Sequence, residues 1–163
     1  ATGGAGYATA ASGTGGAAPF RFQTPQDESF SAITHHFPFW FGQSFDREDP
    51  DPNKLPFDQN ELQALCAPRA LLCTEATADI WGNPRGSMID HLAALPVYQF
   101  LGAADKLAIH FRKGVHDQTP EDYAALLDFA DYVFYGKKPT VDFSVNPYPN
   151  LPRTFEWSAP TGE

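Results

Sequence analysis

The chain has 163 residues, of which 42% are hydrophobic and 14% aromatic, with 20 acidic side chains against 11 basic ones and a formal charge of −9. That length holds one domain or part of one. A negative chain with no Lys/Arg-rich stretch excludes nucleic acid as the expected partner, and the lack of any run near the roughly 18 apolar residues of a membrane span excludes a membrane anchor.

Residues 1–18 include 6 Gly and 7 Ala and cannot build a core by themselves. Two readings stand: a flexible tail, or a strand followed by a glycine-rich turn at SGTGGA (residues 12–17), where the backbone passes close to another group. No charged n-region precedes an apolar core here, so no signal peptide is read. From Asp27 to Phe45, the residues Phe30, Ile33, Phe37, Trp40 and Phe41 fall at helical spacings, and Pro38 interrupts the helix. Pro50, Pro52 and Pro56 punctuate a charged surface loop over 46–58. Asp58 then caps a short helix over 60–66, closed by Pro68.

Residues 69–75 (RALLCTE) read as a buried strand, followed by a loop over 77–86. A helix over 87–102 places Ile89, Leu92, Leu95, Val97 and Leu101 on its apolar stripe, with Pro96 as a bend. Residues 106–112 (KLAIHFR) are the next strand. Thr119 followed by Pro120, Glu121 and Asp122 is an N-cap with proline at the first helical position and acids in the first turn. The helix it starts buries Leu126, Phe129, Ala130, Val133 and Phe134, and ends at Gly136. The tail from Lys137 carries five prolines and should run extended over the surface. Strands alternating with helices imply a mostly parallel sheet covered on both faces. Only two strands are evident, and Met88 is the single methionine, so the expectation is the latter part of a larger α/β domain.

Ligand sites of open parallel sheets gather at the carboxyl ends of the strands. Asp79 lies four residues past the first strand and His116 four past the second, 37 residues apart. Adjacent parallel strands would present them side by side, in the acid, helix, strand, histidine order of α/β-hydrolases. The acid would orient the imidazole and stabilise its charged form. Hydrogen-bonding reach between them, about 2.6–3.2 Å, is the expectation. Plain structural readings also stand: Asp79 as the cap of a turn before Pro84, and His116 as a surface loop residue. Glu75 is the rival acid, with Arg69 or Arg85 as its pairing partners. His35 and His36 are helix neighbours projecting about 100° apart, so no metal site is read from them. His110 is a packed sheet residue, His91 lies on a solvated helix face, and Cys73 is a buried apolar side chain rather than a nucleophile. The two cysteines, Cys66 and Cys73, do not form a disulfide scaffold. No G-x-S-x-G occurs around Ser12 or Ser87; a nucleophile is expected upstream of residue 1.

The ordered strings SGTGGAAPFR (12–21), FPFWF (37–41), LPFDQNEL (55–62), CAPRALL (66–72), DIWGNPRG (79–86) and GVHDQTPED (114–122) resemble the glucuronoyl methylesterases of carbohydrate esterase family fifteen over most of residues 8–136. The resemblance implies the C-terminal part of a three-layer α/β-hydrolase sandwich over 1–136, with 137–163 as a Pro-rich tail packed on it. It implies a secreted or periplasmic serine esterase that cleaves the ester between lignin alcohols and 4-O-methyl-glucuronate on xylan, without metal or organic cofactor. By position, His116 looks like the base, Asp79 like the acid, and Trp81 like the indole lining the glucuronate pocket, where a ring face and an N–H suit a sugar. Two departures bear on this. Ala11 stands where some members place a glutamate, so the acid role falls on Asp79. The family's nucleophile motif, a serine followed closely by Arg, Gly and Lys, is absent, so residues 1–163 alone are expected to be inactive, with no complete oxyanion hole. The competing readings are a non-catalytic sugar-binding module using Phe39, Trp40 and Trp81, and another α/β-hydrolase such as an acetyl xylan esterase.

Overall fold

The computed structural model describes residues 56–161, together with Gln26, Glu28, Ala32, His35, His36 and Pro38–Trp40. The glycine-rich turn at 12–17, the loop over 46–55, and the residues Phe30, Ile33, Phe37 and Phe41 lie outside the described residues. Ala32, His35 and His36 have helical backbone, and Pro38–Trp40 is a 3-10 turn, in keeping with an interruption at Pro38.

Five longer elements follow: α1 (Gln59–Ala64), β1 (Leu71–Ala76), α2 (Pro84–Phe100), β2 (Leu107–Arg112) and α3 (Pro120–Tyr135). α1, β1, β2 and α3 begin within two residues of where the sequence places them, whereas α2 begins at Pro84 rather than at residue 87, because Asn83 caps it from within the expected loop. The Asp58 side chain caps α1 in a capping box with Glu61, whose Oε2 accepts the Asp58 N–H at 2.6 Å. Asn83 caps α2 from a left-handed conformation, accepting the Gly86 N–H at 3.0 Å, and Pro84 takes the first helical position. Thr119 and Asp122 form the box at the start of α3, and Gly136, with φ of 66°, ends it.

β1 and β2 pair in parallel, Leu71 opposite Leu107 and Ala76 opposite Arg112. Strand side chains alternate between faces, and that alternation sorts the helices. Leu71, Cys73, Leu107 and Ile109 join Met88, Ala94 and Tyr98 of α2 in the core. His110 and Arg112, on the opposite face of β2, meet Glu121 and Asp122 of α3. The two helices therefore cover opposite faces of the sheet, in three layers. The tail has no helix or strand over 137–161 and packs on this frame. Asp128 accepts the Thr140 and Val141 N–H groups, Trp157 donates its indole N–H to the Ala93 carbonyl at 2.7 Å, and Tyr148 and Leu151 pack against the core.

The structure corrects several side-chain expectations. In α2 the fully buried aromatic is Tyr98, whereas Val97 and Leu101 face outward. His91 is buried rather than solvated, on a helix against which α1 packs. That burial lowers its pKa to about 4. In α3 the buried line is Asp122, Ala125 and Phe129, and Leu126 and Phe134 point outward. Apolar spacing alone admitted the wrong stripe there, since the true stripe begins with a carboxylate held by Arg112. Cys73 is buried as expected, and burial raises its thiol pKa.

Candidate active site

The site stands at the carboxyl end of the two strands. Past β1 the chain turns at once: the Asp79 N–H donates to the Ala76 carbonyl, and the Gly82 N–H reaches both the Asp79 carbonyl and its Oδ1, at 3.1 and 2.9 Å. This turn fixes the Asp79 carboxylate within four residues of chain. The sheet also continues into the loops, since the Thr77 N–H donates to the Arg112 carbonyl and the Ala78 N–H to that of Gly114, both at 2.9 Å. Loop is thereby laced to loop before either reaches its functional residue.

His116 lies in the segment between β2 and α3. Its Nδ1–H donates to Asp79 Oδ2 at 2.8 Å. The Asp79 side chain is 12% exposed and that of His116 61%, so the anion is sheltered while the ring faces outward. With Nδ1 carrying the proton, the neutral ring has its lone pair on Nε2, where a proton can be received. The Asp79 carboxylate stabilises the imidazolium that results.

Trp81 lies two residues after Asp79, partly exposed, and its carbonyl accepts the Glu28 N–H at 3.1 Å. Glu28 is a residue that spacing did not single out. It is buried, desolvation raises its pKa, and the charges of His116 and His36 partly offset that rise. No local pattern marks it: Trp81 and His116 lie more than fifty positions away in sequence. Asp79, rather than Glu75, meets the His116 ring. Glu75 sits within β1 opposite Phe111, where its charge acts on Cys73 and Tyr148. His36 donates to the Ala32 carbonyl at 2.7 Å, and the His35 and His36 rings meet edge-on. His110 packs within the sheet layer, 3.6 Å from Glu121 and edge-on to Phe143. Phe39 is exposed.

The family profile described as "Glucuronyl esterase, fungi" matches residues 8–102. The chain belongs to the glucuronoyl esterases. Among solved structures, a carbohydrate esterase family 15 glucuronoyl esterase from Caldicellulosiruptor kristjansonii is 42% identical, with a TM-score of 0.81 over 91% of this chain and 42% of that one. A carbohydrate esterase from an unknown prokaryotic organism is 35% identical over 140 residues, covering 77% of this chain and 32% of its own length. A 4-O-methyl-glucuronoyl methylesterase of Wolfiporia cocos is 39% identical over 66 residues, 40% of this chain and 16% of that protein. The chain thus spans about a third of the length of that carbohydrate esterase, which it matches over most of its own length. Its parallel strand pair with a helix on each face is part of the α/β-hydrolase fold of the glucuronoyl esterases.

Proposed function

We propose that this chain is part of a serine-type carboxylic ester hydrolase acting on glucuronate esters, with His116 as general base, Asp79 as the acid that orients it and Trp81 lining the sugar pocket. The observation that carries the reading is the 2.8 Å hydrogen bond between His116 Nδ1 and Asp79 Oδ2. A serine outside residues 1–163 supplies the nucleophile. Its hydroxyl attacks the ester carbonyl as His116 Nε2 takes its proton, and the alcohol departs with that proton from the imidazolium. Water then attacks the acyl-enzyme, again giving its proton to His116, and glucuronate is released while the serine recovers its hydroxyl. Asp79 holds the tautomer throughout and remains ionised. Trp81 offers a ring face to the sugar, and the backbone N–H of the buried Glu28 holds the Trp81 carbonyl. The relatives named as glucuronoyl esterases support the substrate class. An ester between lignin alcohols and xylan glucuronate, and a secreted or periplasmic location, follow from the resemblance.

The test is the full-length protein on a methyl glucuronate ester. His116→Ala is expected to lower kcat about 10²–10⁴-fold, and full activity in that variant overturns the assignment. Turnover of acetylated xylan with none of the uronate ester moves the protein to another esterase class. Retention of xylan with no hydrolysis by the parent makes it a binding module.

A further inference from the structure

The Asp79 carboxylate is fixed by its own turn, but no comparable short-range bond holds His116. What holds its segment is Arg112, the last residue of β2. The guanidinium is almost fully buried, with a side-chain exposure of 4%, and it bonds to Asp122, itself 3% exposed, through Nε–H at 2.6 Å. Its remaining donors turn back onto the loop: Nη1 to the Lys113 carbonyl and Nη2 to that of Val115, both at 3.3 Å, with Nη2 also reaching the Asp117 carbonyl. Val115 and Asp117 are the residues on either side of His116. A planar guanidinium carries five donors in a rigid fork, and here Nη2 alone holds both carbonyls flanking His116, Nη1 holds Lys113 and the Nε end is anchored to the helix that follows.

The anchor is itself fixed. Asp122 Oδ2 also accepts the Thr119 N–H at 2.8 Å and the Thr119 hydroxyl at 3.0 Å, so one carboxylate joins the arginine to the cap of α3. The loop also leaves room for the guanidinium at one point in particular. Gly114 has φ of 133°, and a Cβ built there would stand 2.5 Å from Arg112 Nη1. Glycine satisfies both the backbone conformation and the close approach.

We infer that Arg112 is the positioning residue of this site: through the carbonyls flanking His116 it holds the imidazole over Asp79, and it acts on the reaction only through that placement. The inference rests on His116 being the base. Without the guanidinium, a buried carboxylate and three loop carbonyls lose their charged donor, and the ring loses the constraint that sets its distance from the acid.

Arg112→Lys in the full-length esterase separates positioning from simple ion pairing. An ammonium keeps the charge facing Asp122, but its single nitrogen cannot hold Asp122 together with the Lys113, Val115 and Asp117 carbonyls. The expected result is kcat lowered at least tenfold on a methyl glucuronate ester, KM within about twofold, and a melting temperature close to the parent's. Arg112→Ala is expected to recover part of its lost kcat when guanidinium chloride is added at low millimolar concentration, with no matching recovery from ammonium. Unchanged kcat in Arg112→Lys overturns the inference, and so does a kcat loss in Arg112→Ala that follows only the loss of folded protein and does not respond to guanidinium. His116→Ala serves as the control for the reading beneath. Full activity in that variant removes the base itself, whereas an inactive His116→Ala beside a fully active Arg112→Lys removes only the role of Arg112.

Discussion

The two loops that meet at the site are built on opposite plans. The turn that carries Asp79 is built mainly from local bonds: the Gly82 N–H donates to Asp79, the Asn83 N–H to the Ile80 carbonyl, and the Asn83 side chain caps α2. The base loop after β2 is held from outside, by a buried arginine behind it and the capped helix ahead of it. Asp79 is thus a fixed post, and His116 is a mounted part whose placement depends on an ion pair between residues ten positions apart that bracket it. The difference teaches where each loop is vulnerable. Damage to the first is confined to its own turn, and damage to the second spreads through Asp122 into α3.

The largest effect should come from breaking the contact between the two loops. Asp79→Asn keeps the shape of the side chain but replaces an anionic acceptor with an amide that cannot stabilise the imidazolium and favours the wrong tautomer. In the full-length enzyme kcat should drop about 10³–10⁴-fold with little change in melting temperature, and activity within tenfold of the parent would show that Asp79 is not the orienting acid. A smaller effect, and on stability, should come from the mounting. Gly114→Ala combines a positive φ with a methyl against Arg112, and should cost about 2–3 kcal/mol in chemical denaturation. Gly136→Ala has the αL strain alone, with nothing within 4 Å of the added carbon, and should cost about 1 kcal/mol. Equal costs would show that the guanidinium yields freely, and that the base loop is less tightly mounted than its hydrogen bonds imply.

The acid loop was the more legible in sequence because its determinants are local. A strand, an acid and a turn residue read in order place Asp79, and the proline and acids after Thr119 place α3. The 37-residue spacing then sufficed to bring Asp79 and His116 together, since parallel neighbours bring their carboxyl ends to one side. What stayed hidden is what depends on the third dimension. Arg112 reads in sequence as an ordinary charged residue at the end of a strand, and only its burial against Asp122 reveals its reach. Glu28 reaches Trp81 and His116 across a long stretch of chain. His91 looked solvated because helical periodicity does not record that α1 packs against α2.

Effects that depend on pH concern α2 itself, away from either loop, and act as the background against which the loop variants are judged. Asp90 is buried, its Oδ2 lacks a hydrogen-bond partner, and desolvation together with the charges of Asp58 and Glu61 raises its pKa. A carboxyl raised on folding stabilises the fold at pH below its unfolded pKa and loses that contribution as pH climbs through the folded value. Asp90→Asn should therefore stabilise by about 1–2 kcal/mol at pH 8 and by nothing near pH 4; a gain independent of pH would show that the carboxyl titrates normally. His91 has the opposite sense. With its folded pKa lowered to about 4, its contribution is present above the ordinary histidine value of 6.5 and is lost as pH falls from there toward 4. His91→Gln should flatten that acid limb of a melting-temperature profile, and an unchanged limb would place the acid sensitivity elsewhere.

The register of the strand pair also acts as a ruler for the length of the chain. Ala76 stands opposite Arg112, and the hydrogen bonds from Thr77 and Ala78 carry the alignment past the end of the sheet. From those fixed points the chain counts three residues to Asp79 and four to His116. Adding or removing one residue in either count would shift a functional group by about 3.3 Å, more than the whole length of the bond between them. Changes in length can thus accumulate in the tail beyond Gly136 without disturbing that count, while Thr77–Asp79 and Lys113–His116 must keep theirs.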